Sequence, residues 1–266
     1  MRANSFLKKE NQMMSYRNKL SIENCKALVT GAGRGIGAAC AEALAEMGAK
    51  VFCTDFSYDA AKRTATHIRE LGYKAEAFEL DVTNTVAIEA LAEKLPTLDI
   101  LVCNAGIANN YAAEEMADDA WNNLINVNLN GVFRVCRAFG KGMLAQGKGS
   151  IINIGSMSGF VVNTPQPQCH YNASKAAVHQ LTKSLAVEWA DRGVRVNAIA
   201  PTYINTPLLN DVDIDPALKQ TWIDMTPMKR MGNPDEIASV VQFLASPAAS
   251  LMTGSIVNVD GGYTCL

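Results

Sequence analysis

Residues 26–37 read KALVTGAGRGIG. The first five form a short apolar run, the pattern of a strand buried on both faces. Glycines follow at 31, 33, 35 and 37. The chain then continues as GIGAACAEALAEMG, rich in alanine and leucine and closed by Gly48, which reads as a helix stopped by glycine. A strand that turns through glycines straight into a helix is suited to hold phosphate. The glycines let the backbone turn tightly and approach a pyrophosphate, and the helix N-terminus offers unpaired N–H groups and the positive end of its dipole. Glycine clusters are common in turns. An acidic residue about 20 positions further on sharpens the dinucleotide reading. That residue is Asp55, at the end of the second apolar run, KVFCTD. Its carboxylate can accept hydrogen bonds from both ribose hydroxyls and would repel a 2′-phosphate, so it favours NAD over NADP. Arg34, inside the glycine loop, is the one group that argues the other way, because a base there can approach the 2′ position.

Outward from this unit the same alternation continues. AAKRTATHIRELG reads as a helix, KAEAFELDV as a strand, and a helix runs on through Lys94 before the strand DILVCNAG. A long helical segment over about 118–146, the strand SIINIGS, a helix holding Tyr171, the strand VRVNAIAP, a helix over about 234–245 and the strand SIVNVDGG complete the chain. Strands alternating with helices throughout predict an α/β fold, a single Rossmann-type domain with a doubly wound parallel sheet and helices on both faces. That domain is expected to span 21–266. Residues 1–20 are polar and basic, lack the apolar core of a secretory signal, and are expected to form a flexible arm. The least regular stretch, about 203–233, falls late in the chain and is a candidate substrate lid.

Composition narrows the function. The chain has 266 residues, 48% hydrophobic and 19% charged, with a net charge of −2. That balance gives no electrostatic footprint for nucleic acid or an anionic membrane, and no apolar run approaches a membrane span. A small molecule is the expected partner. The seven cysteines are odd in number, carry no CxxC spacing and mostly sit in apolar runs. They read as reduced thiols in a reducing compartment, the cytoplasm, and supply no metal site. The three histidines add none: His170 reads as a pocket-lining or surface residue, and His67 and His179 as helix-surface residues.

Five short motifs then fall in register: TGxxxGxG at 30–37, CNAG at 103–106, VNL at 127–129, IGS ending at Ser156, and YNASK at 171–175. Together they resemble the short-chain dehydrogenases/reductases over nearly the whole chain. The resemblance implies a catalytic tetrad of Asn128, Ser156, Tyr171 and Lys175. It implies a cofactor site in which Gly31, Gly35 and Gly37, with Arg34 and Ile36 between them, hold phosphates beside Asp55. Asp81 and Val82 would lie along the adenine, Asn104 and Gly106 would border the cofactor, and Ile204 and Thr206 would meet the nicotinamide. Tyr171 and Lys175 would touch the cofactor as well. One departure stands out: the family usually has Pro-Gly after the sixth strand, and this chain has Pro201-Thr202. The family's helices pair across a two-fold axis, usually in tetramers, so a homotetramer is expected. The runs SMSGxxVNxPQ, WxDMTPM, FLASPAAS and DGGYT further resemble the family's polyol dehydrogenases, galactitol dehydrogenases among them. This implies oxidation of a secondary alcohol of a sugar alcohol or 1,2-diol to a ketone.

The chemistry sets demands on these residues. A tyrosine of ordinary pKa near 10 is ionised in only about one molecule per thousand at pH 7. Lys175, one helical turn beyond Tyr171, can favour the phenolate, and a shift of three units corresponds to roughly 4 kcal/mol. Ser156 can hold the reacting oxygen, and Asn128 is expected to anchor a water linked to Lys175. Between Ser156 and Tyr171, Ser158, Asn163, Gln166 and Gln168 can bond hydroxyls, with Ser156, Ser158, Asn163 and Tyr171 the expected substrate contacts. Phe160, Val161, Val162, Trp222 and Met225 leave room for an apolar part. Three other readings fit parts of the pattern: a 3-oxoacyl or hydroxysteroid reductase of the same fold, a non-catalytic NAD-sensing protein, and a Rossmann-type methyltransferase.

Overall fold

The computed structural model of the protein describes residues 15–206 and 214–266. Most of the expected arm, residues 1–14, and the part of the expected lid at 207–213 lie outside the described residues. A short helix α1 (Tyr16–Leu20) leads into β1 (Lys26–Thr30), α2 (Gly35–Glu46), β2 (Lys50–Asp55), α3 (Tyr58–Glu70), β3 (Ala75–Glu79), α4 (Thr85–Lys94) and β4 (Ile100–Cys103). Then come α5 (Asp118–Ile125), a π-helical turn (Asn126–Gly131), α6 (Val132–Gln146), β5 (Gly149–Ile154), α7 (Cys169–Trp189), β6 (Val194–Pro201), α8 (Pro216–Met225), α9 (Pro234–Ala245) and β7 (Ile256–Val259). The seven strands form one sheet in the order β3-β2-β1-β4-β5-β6-β7, and every pairing is parallel. The expected α/β architecture is the one observed.

The side-chain alternation of β1 shows how the sequence builds two cores. Ala27 and Val29 point to one face and Leu28 to the other, as the period of two requires. On the first face they meet Cys40 and Leu44 of α2, Ile68 of α3 and Val241 and Leu244 of α9. On the second, Leu28 joins Ile88 and Leu91 of α4, Val135, Phe139 and Met143 of α6, and Val178 and Trp189 of α7. Both faces are covered, which is why the strands read as unbroken apolar runs rather than alternating ones. All seven cysteines are free. Among the described residues, no helix is long and apolar enough to cross a membrane.

The chain order reverses between β1 and β4, where a doubly wound sheet opens a crevice at its carboxyl edge. Here the two strand ends are stitched together. The Thr30 hydroxyl accepts the Asn104 and Ala105 N–H groups, at 3.0 and 3.1 Å. The Asn104 Nδ2 donates back to the Thr30 and Gly31 carbonyls, both at 3.0 Å. Replacing Thr30 by Val keeps the shape and removes the acceptor of two backbone donors. Urea unfolding of Thr30→Val is expected to show a loss of about 2 kcal/mol, the range for stranding such donors; wild-type stability would mean the stitch contributes nothing.

Candidate active site

The glycine loop is packed too closely for side chains. Gly31 and Gly35 have φ of +63° and +57°, a left-handed conformation that glycine adopts without strain. A Cβ on Gly37 would lie 2.1 Å from the Gly31 carbonyl oxygen and 2.5 Å from Asn104 Nδ2. Helix α2 begins at Gly35 with no side-chain cap from Arg34, so the N–H groups of its first turn, at Gly35, Ile36 and Gly37, have no partner within the helix. Asp55 stands over the same loop. Its Oδ2 accepts the Gly33 N–H and its Oδ1 the Ser57 N–H, each at 3.0 Å. Bare helix-end donors, glycines with no room for a Cβ, and a carboxylate at the rim together fit a dinucleotide.

The other expected cofactor contacts surround this crevice. The Asp81 carboxylate accepts the Thr83 N–H at 2.8 Å, and Val82 is buried against Gly131 of the π-turn. Gly106 lies between the two halves of the site: a Cβ there would stand 3.3 Å from Asn128 Oδ1 and 3.8 Å from Lys175 Nζ. Ile204 and Thr206 are buried. Ile204 pairs in parallel with Gly232, which anchors the segment after the Pro201-Thr202 departure.

Helix α7 carries Tyr171 and Lys175 one turn apart on one face. The Lys175 Nζ donates to the Ile154 carbonyl at the end of β5, at 2.9 Å, and lies 5.6 Å from the centre of the Tyr171 ring. Burial lowers Lys175 from 10.5 to about 8. Tyr171 is half-buried; burial raises its pKa, and a hydrogen bond with Ser156 acts in the opposite direction. Burial is the larger of the two causes, so the phenol is shifted away from ionisation. The Ser156 and Ser158 hydroxyls lie 2.9 Å apart, and Ser156 Oγ accepts the Ser158 N–H at 3.1 Å. Asn128, in the π-turn, ties its amide to two elements: Oδ1 accepts the Ile107 N–H at 2.8 Å, and Nδ2 donates to the Ile107 carbonyl at 2.9 Å and to the Ser174 hydroxyl of α7 at 3.4 Å.

The segment after Ser156 differs from the sequence expectation. Ser158, Asn163, Gln166 and Gln168 are all buried. Asn163 and Gln166 both donate to the Tyr203 hydroxyl, at 3.1 and 2.9 Å. Gln166 Oε1 accepts the Trp222 Nε1–H at 3.1 Å, and the Tyr203 and Trp222 rings stack at 4.2 Å. Gln166 is thus structural, while Asn163 Oδ1 remains buried without a partner.

Two histidine readings are corrected. His170 is fully buried and bonded to Asn109 Oδ1 at 2.5 Å, because α7 enters the domain against the loop that follows β4. His179 is also buried, on the inward face of α7. Its spacing of four from Lys175 and eight from Tyr171 was a legible signal. His67 is exposed, 3.4 Å from Glu42. Among the described residues no group of His, Cys, Asp and Glu could hold a metal.

The profile of the Enoyl-(Acyl carrier protein) reductase family matches residues 31–264. The chain belongs to the short-chain dehydrogenase/reductase family. It is an oxidoreductase acting between alcohols and carbonyls. It is 50% identical over 257 residues to a galactitol 2-dehydrogenase of Rhizobium johnstonii, covering 95% of this chain and 100% of that one. To an L-tagatose-forming galactitol 2-dehydrogenase of Cereibacter sphaeroides it is 48% identical over 255 residues, covering 94% and 99%. The crystal structure of gox2181 superposes with a TM-score of 0.92 at 49% identity, covering 95% of this chain and 100% of that one. A gluconate 5-dehydrogenase of Burkholderia cenocepacia, in complex with NADP and tartrate, gives 0.88 at 35% identity, covering 94% and 98%.

In this short-chain dehydrogenase/reductase the buried lysine has a measurable linkage. With Lys175 at about 8 in the fold and an ordinary lysine at 10.5, the unfolded chain holds a proton that the native state has shed between those pH values. Stability from this group therefore rises with pH across that window. Relative to Lys175→Met, the wild type is expected to gain about 3 kcal/mol between pH 7.5 and 10.5 in urea titrations. A difference that stays flat would show that the ammonium is well solvated.

Proposed function

We propose that the enzyme interconverts a secondary alcohol of a polyol, either a sugar alcohol or a 1,2-diol, and the corresponding ketone with NAD. The observation that carries this reading is the buried Lys175, held by the Ile154 carbonyl 5.6 Å from the Tyr171 ring, at the edge of a dinucleotide cradle. The two galactitol 2-dehydrogenase relatives support the substrate class.

Bound NAD would supply the hydride acceptor. Gly31, Gly35, Ile36 and Gly37 would hold its phosphates, with Arg34 in the same loop, and Asp55 its ribose. Asp81, Val82, Asn104, Gly106, Ile204 and Thr206 would line the rest. Ser156 would hold the substrate hydroxyl, and Tyr171 would take its proton as general base, or return it as general acid in the reverse direction. A lysine near 8 stays mostly protonated at pH 7, so Lys175 would present a positive charge to the phenolate as it forms. Asn128 would brace the Ile107 backbone beside Lys175 and carry the proton path through a bound water. Ser158 and the unpartnered Asn163 Oδ1 would receive further substrate hydroxyls.

The remaining readings follow from the surface and the thiols. We infer a homotetramer, supported by the exposed Trp121, Phe133 and Val187 on α5, α6 and α7, and a cytoplasmic enzyme, supported by seven free cysteines. Residues 203–206 and 214–233 would form part of a lid over the substrate. NAD is preferred to NADP because Asp55 would repel a 2′-phosphate, although a related enzyme binds NADP.

Absorbance at the reduced-nicotinamide band, with NAD or NADP and a panel of polyols, diols and a hydroxysteroid, tests the assignment. Turnover with a polyol is expected, with NAD favoured about tenfold or more and Asp55→Ser narrowing the gap. Activity on the steroid alone would sink the substrate class. Tyr171→Phe should lower kcat about a thousandfold while leaving NADH binding, read by fluorescence, unchanged; retained turnover would remove Tyr171 as the base.

A further inference from the structure

His179 extends the Tyr171–Lys175 face of α7 by one more turn. It is 4% exposed, and the loop that carries Ser156 is shaped around it. A Cβ on Gly155 would lie 2.4 Å from its Nε2, and a Cβ on Gly159 2.5 Å from its Cε1. The Phe160 ring packs on it with centres 4.6 Å apart. Two glycines on either side of Ser156 and Ser158 thus leave a slot filled by one imidazole.

The ring makes one hydrogen bond to that loop: Nε2 accepts the backbone N–H of Ser156 at 3.5 Å. A backbone N–H only donates, so Nε2 must be the bare nitrogen and the ring proton sits on Nδ1. Burial, with Lys175 and Lys183, holds the histidine down to about 4, which keeps Nε2 an acceptor near neutrality. Nδ1 is buried without a partner. A leucine would fill the slot without stranding a nitrogen, so packing alone gives no reason for histidine here. The Ser156 bond does.

We propose that His179 is a positioning residue of the reaction: by accepting the Ser156 N–H it fixes the backbone of Ser156 and so aims the Ser156 hydroxyl at the Tyr171 hydroxyl and the reacting oxygen. This rests on the role proposed above for Ser156. His179 touches neither substrate nor cofactor in this scheme, and its effect passes through Ser156 alone.

A double-mutant cycle tests it. The variants are His179→Leu, His179→Gln, Ser156→Ala and the Leu/Ala double variant, assayed with NAD and the fastest polyol of the panel. His179→Leu is expected to lower kcat about tenfold, the scale of one lost orienting bond, with NADH affinity unchanged. His179→Gln, whose amide oxygen can accept the same N–H, should stay within about threefold. In the Ser156→Ala background, His179→Leu should add less than about twofold, because residues acting as a unit are not additive. Should the leucine variant not fold, His179→Met, flexible and a poor acceptor, takes its place. The inference is overturned if His179→Leu keeps wild-type kcat or if His179→Gln is as slow as His179→Leu. It is overturned alone if Ser156→Ala is slow and His179→Leu multiplies that loss in full. A Ser156→Ala variant as fast as the wild type overturns the Ser156 role and this inference together.

Discussion

The hydroxyl of Thr30 is the hinge on which the site is built. By accepting two N–H groups from the turn after β4, it ties together the ends of two strands that lead to opposite halves of the fold. The consequences run in both directions along the chain. Toward the N-terminal half, Asn104 reaches the Gly31 carbonyl, and Gly31 leaves no room for a Cβ on Gly37. Toward the C-terminal half, the same turn delivers Gly106 to the gap beside Asn128 and Lys175. The glycine loop and the Tyr171–Lys175 face come close together because one threonine joins the strands that carry the turns between them.

The proton-transfer half shows a single cause acting on two groups. Burial raises Tyr171 and lowers Lys175, so both shifts disfavour charge. The lysine value of about 8 still leaves the ammonium dominant at pH 7, by about ten to one. In the proposed reaction the phenol is the group that must ionise, and the interaction with Ser156 is the one that acts against burial. Where Ser156 points therefore matters more than its own acidity, and the backbone around it is held by the flanking glycines and His179.

Local chemistry was legible in the sequence and tertiary partnership was not. The strand-glycine-helix opening and the apolar runs could be read because a buried parallel strand and a glycine turn each leave a local signature; β1, β2 and β6 match the runs KALVT, KVFCTD and VRVNAIAP residue for residue. Gln166 could not be read in this way. Its glutamine chemistry is equally suited to a substrate hydroxyl, and only the placement of Trp222 and Tyr203, from distant parts of the chain, commits it. The π-turn is hidden in another way: NVNLNG ends in Asn-Gly, a local turn signal, yet the helix continues through it because α5 and α6 both flank it. His179 lies between these cases. Its helical spacing placed it on the face of Lys175, and what hid its burial was the slot left by Gly155 and Gly159.

The substrate side follows from the directionality of one indole. Trp222 Nε1–H can only donate, so Gln166 must turn its oxygen toward it and its amino group toward Tyr203. With Asn163 also donating, the Tyr203 oxygen accepts twice, and its ring packs edge-on to Tyr263 at 6.0 Å. Burial above all raises Tyr203 to about 12, so it stays a neutral phenol under ordinary conditions. The clasp therefore ties the loop after Ser156 to α8 and to the chain's last residues through fixed donors and acceptors. Within it one buried acceptor remains unspent, Asn163 Oδ1.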